Sequence, residues 1–255
     1  MPVWDPNQYL KFADHRLRPA LDLLARVPLE TPETIVDLGC GAGNVTRHLA
    51  ARWPGARIVG LDGSPEMLAK ARAAMPEASW VEGDIARWEP PAPVDLIYSN
   101  AALHWLGDHG GLFPRLMGWL TPGGVLAVQM PRNYEAPSHT HLLDAAGSGP
   151  WRATLAPLLR PSPVAAPAAY HRFLASLASR LDIWETVYMQ VLEGENPVAE
   201  FTKGTALKPL LDALQEPERS AFEAEYRRRI AAAYTPEADG RTLFPFRRLF
   251  IVAVR

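Results

Sequence analysis

The sequence predicts an α/β fold, a mostly parallel sheet with helices on both faces, and three observations carry this prediction. Short apolar runs alternate with helical patterns from Thr34 to Gln129. A glycine-rich turn, DLGCGAGN, follows the first apolar run. A further apolar run, RLFIVAVR, closes the chain. Alternating strands and helices indicate a parallel sheet, because each helix returns the chain to the edge from which the next strand starts.

The first strands and helices have clear signals. TIVDLG and RIVGLD have the character of buried strands, and NVTRHLAARW that of a helix ending before Pro54. SPEMLAKARAAM is a predicted helix with Ser64 as its N-cap, Pro65 at its first position and Glu66 in its first turn. SWVEGD and VDLIYSN are predicted as the third and fourth strands.

The rest of the chain is less regular. A helix around LFPRLMGWL, a turn at TPGG and the strand GVLAVQM complete the alternating series. The next fifty residues or so, rich in Pro, Ala, Gly and His, suit short helices and loops over the sheet. DIWETVYMQV is a predicted strand, and PERSAFEAEYRRRIAAAY a helix whose run Arg227 to Arg229 forms a solvated face.

These patterns predict a single domain over residues 1–255. Its core covers 33–130 and is completed by strands near 181–191 and 248–254. The segments 1–30, 131–180 and 193–246 are expected to form a helical cap that lines a pocket.

Composition excludes several functional classes. The 26 Lys and Arg against 28 Asp and Glu leave a net charge of −2, so no global positive field attracts nucleic acid or an anionic membrane. Cys40 is the single cysteine, and neither a leader nor a long apolar run is evident, which predicts a cytoplasmic protein without a membrane span. The seven histidines are scattered, so we expect no metal site.

The glycine-rich turn is the main ligand-binding motif. Gly39, Gly41 and Gly43 are spaced G-x-G-x-G between the first strand and the first helix, where glycines let the backbone approach a ligand. A dinucleotide fingerprint requires glycine where Asn44 stands, which disfavours a nicotinamide cofactor. Asp37, just before the glycines, would repel a pyrophosphate but can interact with an ammonium group, directly or through water.

Two further acids follow the next strands. Asp62 ends the second strand, where it can accept hydrogen bonds from ribose hydroxyls. Asp84 follows the third strand, where it can meet an adenine amino group, with Ile85 as an apolar wall. The three acids together indicate a ligand that is a nucleoside carrying an amino acid, which is S-adenosylmethionine. The alternative is a glycine-rich turn with acids that merely cap helices.

These residues resemble the motifs of class I S-adenosylmethionine-dependent methyltransferases over Thr34 to Met130 and the later strands. The resemblance implies a Rossmann-like, seven-stranded, mostly parallel sheet with an antiparallel last strand. The candidate cofactor-binding residues are Asp37, Gly39, Gly41, Gly43, Asp62, Gly63, Ser64, Met67, Asp84, Ile85 and Asn100.

The flanking segments resemble, more narrowly, the trans-aconitate 2-methyltransferase family. They are WDPNQYLKFADHRLRPALDLLARVPL, NAALHWL, VLAVQMPRN, FTKGTALKP and RLFIVA. The resemblance implies methylation of one carboxylate of a small unsaturated tricarboxylic acid, giving a methyl ester and S-adenosylhomocysteine. It also implies that the N-terminal segment is a lid, with Tyr9 and Phe12 as walls and Arg16 near the anionic groups.

A carboxylate acceptor is already ionised at neutral pH, so we expect no catalytic acid or base. Arginine and lysine would hold the remaining carboxylates. The candidate substrate-binding residues are Tyr9, Phe12, Arg16, His104, Trp105, Gln129, Arg132, Lys203 and Arg248. For each cation the alternative is a surface charge or a salt bridge.

The sequence departs from the family pattern at two positions. Gln usually stands where this chain has His104, and a pair of tyrosines often stands where it has Tyr170 and His171. Both changes concern the acceptor, so two alternatives stay open: methylation of a different small acid or hydroxyl compound, and S-adenosylmethionine binding without transfer. The sequence predicts no oligomeric state.

Overall fold

The computed structural model describes residues 13–159 and 161–255, and the sheet they contain has seven strands. The strands are β1 (Thr34–Leu38), β2 (Arg57–Asp62), β3 (Ser79–Glu82), β4 (Val94–Asn100), β5 (Leu120–Pro131), β6 (Arg180–Leu192) and β7 (Thr242–Val254). The α-helices are α1 (Ala13–Leu24), α2 (Thr46–Arg52), α3 (Pro65–Ala74), α4 (His109–Gly118), α5 (Pro137–Ser148), α6 (Arg152–Leu155), α7 (Pro167–Leu174), α8 (Pro197–Lys203), α9 (Lys208–Asp212) and α10 (Glu218–Ala233). Short 3₁₀ helices span Leu103–Trp105 and Ala156–Leu158.

The order of strands in the sheet is β3-β2-β1-β4-β5-β7-β6. β1 pairs in parallel with β2 and β4, whereas β7 runs antiparallel to β5. The predicted parallel sheet with an antiparallel last strand is therefore confirmed. The strand order reverses between β1 and β4, and ligands of such sheets bind where the carboxyl ends of the strands meet at the reversal point.

The described chain divides into two compact units. The sheet unit comprises Arg16–Pro131, Pro163–Thr186 and Arg248–Arg255. The helical unit contains Arg132–Ser162 and Val187–Arg247. The single methyltransferase domain with cap segments stays a prediction.

Burial explains why the central strands form. In β1 and β4 nearly every residue is buried, as expected for parallel strands covered on both faces.

Ser64 caps α3 as predicted, since its hydroxyl accepts a hydrogen bond from the Met67 N–H at 3.4 Å. Asp95 joins the strands at the end of the sheet where β1 and β4 begin. Its carboxylate accepts hydrogen bonds from the backbone N–H groups of Glu33 and Thr34 and from the Thr121 hydroxyl.

The predicted turn at TPGG was wrong, because these residues lie within β5. Leu120 already pairs with Val94, and the register then shifts so that Leu96 pairs with Val125. The extra residues form a bulge with Gly123 at φ +80°. The C-terminal residue covers it, since the Gly123 N–H donates to the Arg255 carbonyl.

The helical unit has its own aromatic core. Trp151, Phe201, Phe222 and Phe244 are all buried there. β7 begins six residues before the predicted apolar run, in a stretch where alternate residues are exposed and the pattern is therefore less apolar. The predicted solvated arginine face on α10 was wrong in part: Arg227 is ion-paired with Glu200, and the neighbouring Arg229 with Glu225 at 2.7 Å.

Candidate active site

The glycine loop between β1 and α2 has one crowded and one open position. Gly39 has φ +75°, and a Cβ there would lie 2.2 Å from the Ala102 Cβ, so only glycine lets the loop after β4 come this close. Gly41 has φ +55° and nothing within 4 Å of a Cβ position. The loop is therefore closed against the protein at Gly39 and open to a ligand at Gly41. Gly43, with φ +78°, instead packs under Trp80.

Asp37 lies beneath this loop and is 2% exposed. Its carboxylate accepts a hydrogen bond from the Thr46 hydroxyl at 2.7 Å, which joins β1 to the start of α2. Burial raises the pKa of Asp37 to about 7; the Thr46 hydrogen bond opposes the rise, and the nearby Asp62 carboxylate adds to it. Asp37 is thus poised to ionise near neutral pH, and a cation at the loop would favour its charged form.

Asp62 holds two backbone segments together at the end of β2. One carboxylate oxygen accepts the Gly41 N–H at 2.9 Å, and the other accepts the Ser64 N–H at 2.8 Å. The side chain is half-buried, and each oxygen keeps a second lone pair for a ligand hydroxyl. Gly63 and Met67, also half-buried, belong to the same turn and the helix that follows it.

The third acid lies in the loop after β3. Asp84 is exposed, and its carboxylate accepts the Ala86 N–H at 2.9 Å. The Ile85 side chain points to Gly39, because its Cδ1 would lie 3.8 Å from a Cβ there. The structure therefore brings Asp62 and Ile85 to the glycine loop, and their contacts with a cofactor stay predictions.

Arg115 fixes the loop that carries Asp84, and the sequence analysis missed it. From α4 its guanidinium donates to the carbonyls of Ala86 at 2.7 Å and Ile85 at 3.1 Å. The sequence gives little indication of this role, because an arginine in a helix is usually solvated and the backbone carbonyls that Arg115 contacts lie about thirty residues away in the sequence.

A second group of polar side chains lies where β4 and β5 end. Asn100 and Gln129 are direct neighbours across these strands. Arg248, at the point where β7 meets the end of β5, is 4% exposed and donates to the Gln129 side-chain oxygen at 3.4 Å. Three buried polar atoms nearby have no hydrogen-bond partner: Asn100 Oδ1, His104 Nδ1 and Gln129 Nε2. Such atoms are rare in folded proteins and indicate a site for a polar ligand.

His104 is neutral in this group. It lies in the 3₁₀ helix after β4 and is 9% exposed, while the adjacent Trp105 is 53% exposed. Burial, reinforced by the Arg248 guanidinium and His109, lowers the pKa of His104 to about 3. At neutral pH the imidazole is therefore a hydrogen-bonding group and not a second positive charge.

The other predicted substrate residues are Lys203, Arg132, Arg16, Tyr9 and Phe12. Lys203 and Arg132 belong to the helical unit, where Lys203 pairs with Glu223 at 2.6 Å and Arg132 approaches Glu135 at 3.7 Å. Tyr9 and Phe12 lie outside the described residues, and Arg16 is described only as part of α1. Their predicted contacts with the substrate stay predictions.

The described residues contain neither a metal-binding group nor a membrane-spanning helix. Across 13–159 and 161–255, no group of three or more His, Cys, Asp or Glu side chains could hold a metal ion. Within the same ranges, every helix is too short or too polar to span a membrane.

Sequence comparisons relate this chain to known methyltransferases. Residues 35–124 match a family described as "Methyltransferase domain". A trans-aconitate 2-methyltransferase of Azoarcus sp. (strain BH72) is 53% identical over 255 residues, and one of Rhodopseudomonas palustris (strain BisB18) is 48% identical over 257. In both cases the alignment covers 100% of each chain.

A solved structure supports the fold. The phosphoethanolamine N-methyltransferase 2 of Haemonchus contortus, in complex with phosphomonomethylethanolamine and S-adenosylhomocysteine, superposes with a TM-score of 0.57 at 16% identity. The superposition covers 93% of this chain and 52% of that one. The fold is therefore that of a class I S-adenosylmethionine-dependent methyltransferase, as predicted.

Full-length identity defines the family more narrowly. The chain belongs to the trans-aconitate 2-methyltransferase family, and the family resemblance found in the sequence is confirmed.

We expect Asp62→Ala to weaken binding of S-adenosylmethionine by about ten- to a hundredfold, because it removes the acceptor for ribose and releases the Gly41 N–H. Isothermal titration calorimetry measures the affinity. Asp95→Ala, which removes an acid that also accepts two backbone N–H groups but lies at the opposite end of the sheet, is the matched control and should bind normally. Unchanged affinity of the Asp62 variant would refute the ribose role.

Cofactor affinity should also depend on the ionisation of Asp37. Its pKa, raised to about 7, leaves the carboxyl largely protonated at pH 6 and largely ionised at pH 8. Because a cationic ligand prefers the ionised form, affinity should rise with pH across this window. Asp37→Asn should flatten the difference between the two pH values in the same titration. A variant that keeps the full wild-type rise would show that another group titrates.

Proposed function

We propose that this chain transfers a methyl group from S-adenosylmethionine to one carboxylate of trans-aconitate, giving a monomethyl ester and S-adenosylhomocysteine. Membership of the family supports the substrate assignment. The observation that carries it in the structure is the buried Arg248–Gln129 pair beside unpartnered polar atoms of Asn100 and His104. We place the reaction in the cytoplasm, as the single cysteine suggests.

The glycine loop and the acids around it fit the cofactor. The open side of Gly41 leaves space for a ligand backbone, Asp62 offers acceptors to hydroxyl groups, and Asp37 can balance an ammonium group. When bound, S-adenosylmethionine supplies an electrophilic methyl group, whose carbon–sulfur bond breaks as the new carbon–oxygen bond forms. Because the sulfonium would leave as a neutral thioether, no residue of this chain would need to accept a proton.

The acceptor needs positioning more than activation. With a reference pKa near 4, a carboxylate is ionised at neutral pH and is already nucleophilic. Neutral His104 is therefore not required as a base, and we propose no residue for acid–base catalysis. The chain must instead align one carboxylate oxygen and exclude water.

Arg248 is the residue best suited to hold a second carboxylate. A guanidinium can bind a carboxylate with two parallel hydrogen bonds, and such a charge-assisted pair is stronger where water is excluded. The Gln129 side chain, 0% exposed, has an amide nitrogen free to donate to the same anion. An acid with more than one carboxylate would therefore satisfy this group better than a neutral hydroxyl compound.

The direct test is turnover of S-adenosylmethionine by the purified protein with each of several acids, with products identified by mass. We expect trans-aconitate to gain one methyl group, and cis-aconitate, isocitrate, citrate and itaconate to react slowly or not at all. Methylation of a different acid would show that the substrate is not trans-aconitate, and His104, where the chain departs from the family pattern, would be the first residue to test. Cofactor binding without any methylated product would contradict the proposed reaction.

Arg248→Met should raise the KM for the acid by roughly ten- to a hundredfold, since a hydrogen-bonded charge pair contributes about 1.5–3 kcal/mol. Methionine keeps an unbranched side chain without the charge, which a buried site tolerates better than an unpaired polar group. Steady-state kinetics with the methylated acid measures the effect.

Arg227→Met is the matched control, because it removes a half-buried, ion-paired arginine of the helical unit. It should leave the KM for the acid unchanged, and the cofactor affinity of both variants should equal that of the wild type. An Arg248 variant with wild-type KM and kcat would show that this cation is structural.

A further inference from the structure

The loop between β4 and α4 has a strained backbone. Ala101 and Asp108, which flank it, have positive φ angles of 54° and 48°, an uncommon conformation for residues other than glycine. Strained backbone persists only where surrounding contacts determine it, and it is found mostly at functional sites. Between these two residues lies the 3₁₀ helix that carries His104 and Trp105.

Two ends of this loop are held locally. Ala102 packs against Gly39 at the start of the loop. Asp108 caps α4 at the other end, where its carboxylate accepts the Gly111 N–H at 3.1 Å. Neither contact fixes the middle of the loop, where the imidazole of His104 and the indole of Trp105 branch from the backbone.

A chain of hydrogen bonds supplies that missing contact. His109 is buried in the first turn of α4, and its Nε2 lies 3.0 Å from the Leu103 carbonyl oxygen. A carbonyl can only accept, so Nε2 carries the proton and neutral Nδ1 is an acceptor. Tyr170, 0% exposed on α7, places its hydroxyl 2.6 Å from that Nδ1.

The directions of these bonds are mutually consistent. The Tyr170 hydroxyl donates to His109 Nδ1 and itself accepts the Ala165 N–H at 3.2 Å. His109 Nε2–H then donates to the Leu103 carbonyl, the residue directly before His104. The Leu103 carbonyl therefore fixes the imidazole tautomer, and the Tyr170 hydroxyl, as a donor to Nδ1, stabilises that same tautomer. All five residues belong to the sheet unit.

We propose that His109 is a positioning residue for the acceptor: through the Leu103 carbonyl it fixes the 3₁₀ helix from which His104 and Trp105 project, and Tyr170 supports the required tautomer by donating to Nδ1. This inference rests on the proposed function, because it assigns the acceptor to the end of β4. His109 touches neither cofactor nor acceptor in this role. Its effect on the reaction is indirect, through the orientation of His104 and Trp105.

Two substitutions of His109 separate this role from simple packing. The amide nitrogen of glutamine can replace Nε2, so His109→Gln keeps a donor for the Leu103 carbonyl. Asparagine is shorter and places its amide near Nδ1, so His109→Asn keeps the Tyr170 contact and loses the Leu103 bond. Both variants remove the ring packed against Phe113, so they act as matched controls for each other.

We expect His109→Asn to raise the acceptor KM or lower kcat by roughly tenfold or more, since small misplacements of reacting groups are costly. His109→Gln should stay close to wild type, and both variants should bind S-adenosylmethionine normally. Tyr170→Phe should have a smaller effect than His109→Asn, because it removes the donor to Nδ1 but leaves the Nε2–H bond to the Leu103 carbonyl. Equal kinetics for the asparagine and glutamine variants, whether normal or impaired, would overturn the inference.

Hydrogen exchange gives a readout that does not depend on turnover. Amide exchange across residues 102–107 should be faster in His109→Asn than in His109→Gln, and equal rates would also overturn the inference. If the wild type methylates none of the acids, the proposed function fails separately, and the exchange comparison still decides whether His109 holds the 3₁₀ helix.

Discussion

The contact between Gly39 and Ala102 joins the two halves of the candidate active site. Gly39 begins the turn after β1, and Ala102 lies at the start of the loop after β4; the strand order reverses between these two strands. Any side chain at Gly39 would overlap the Ala102 Cβ, so the two loops can approach this closely only because residue 39 is glycine. The strained residue Ala101 adjoins this contact, and Gly41, two residues further along the glycine loop, has open space beside it.

Charge is divided between the two halves in the way that the proposed reaction requires. Asp37 and Asp62 lie at the glycine loop, where they suit a cofactor with an ammonium group and ribose hydroxyls. Arg248 lies buried where β7 pairs with the end of β5, beside a histidine that its own charge helps to keep neutral. A cationic methyl donor and an anionic acceptor therefore meet complementary groups, and alignment is the main task left to the protein.

Local signals explain which features could be predicted from the sequence. The strand RIVGLD and the Ser64 cap depend on neighbouring residues, and the structure has both where the pattern placed them. The TPGG segment carries a turn signal but lies in a bulge of β5, between residues that pair with β4 and β7. Its Gly123 and Gly124 are hydrogen-bonded to the backbone of Arg255, a residue distant in sequence that the local pattern does not reveal. The Arg115 and His109 contacts were not predictable, since they join residues distant in sequence or depend on a backbone carbonyl that no side-chain pattern reveals.

A crystal structure of the protein with S-adenosylhomocysteine and trans-aconitate tests the central claim most directly. We expect one carboxylate of the acid within hydrogen-bond distance of the Arg248 guanidinium and the Gln129 amide nitrogen, and another directed to the sulfur of S-adenosylhomocysteine. An acid bound with Arg248 still engaged only by protein groups, or bound away from the ends of β4 and β5, would contradict the proposed arrangement.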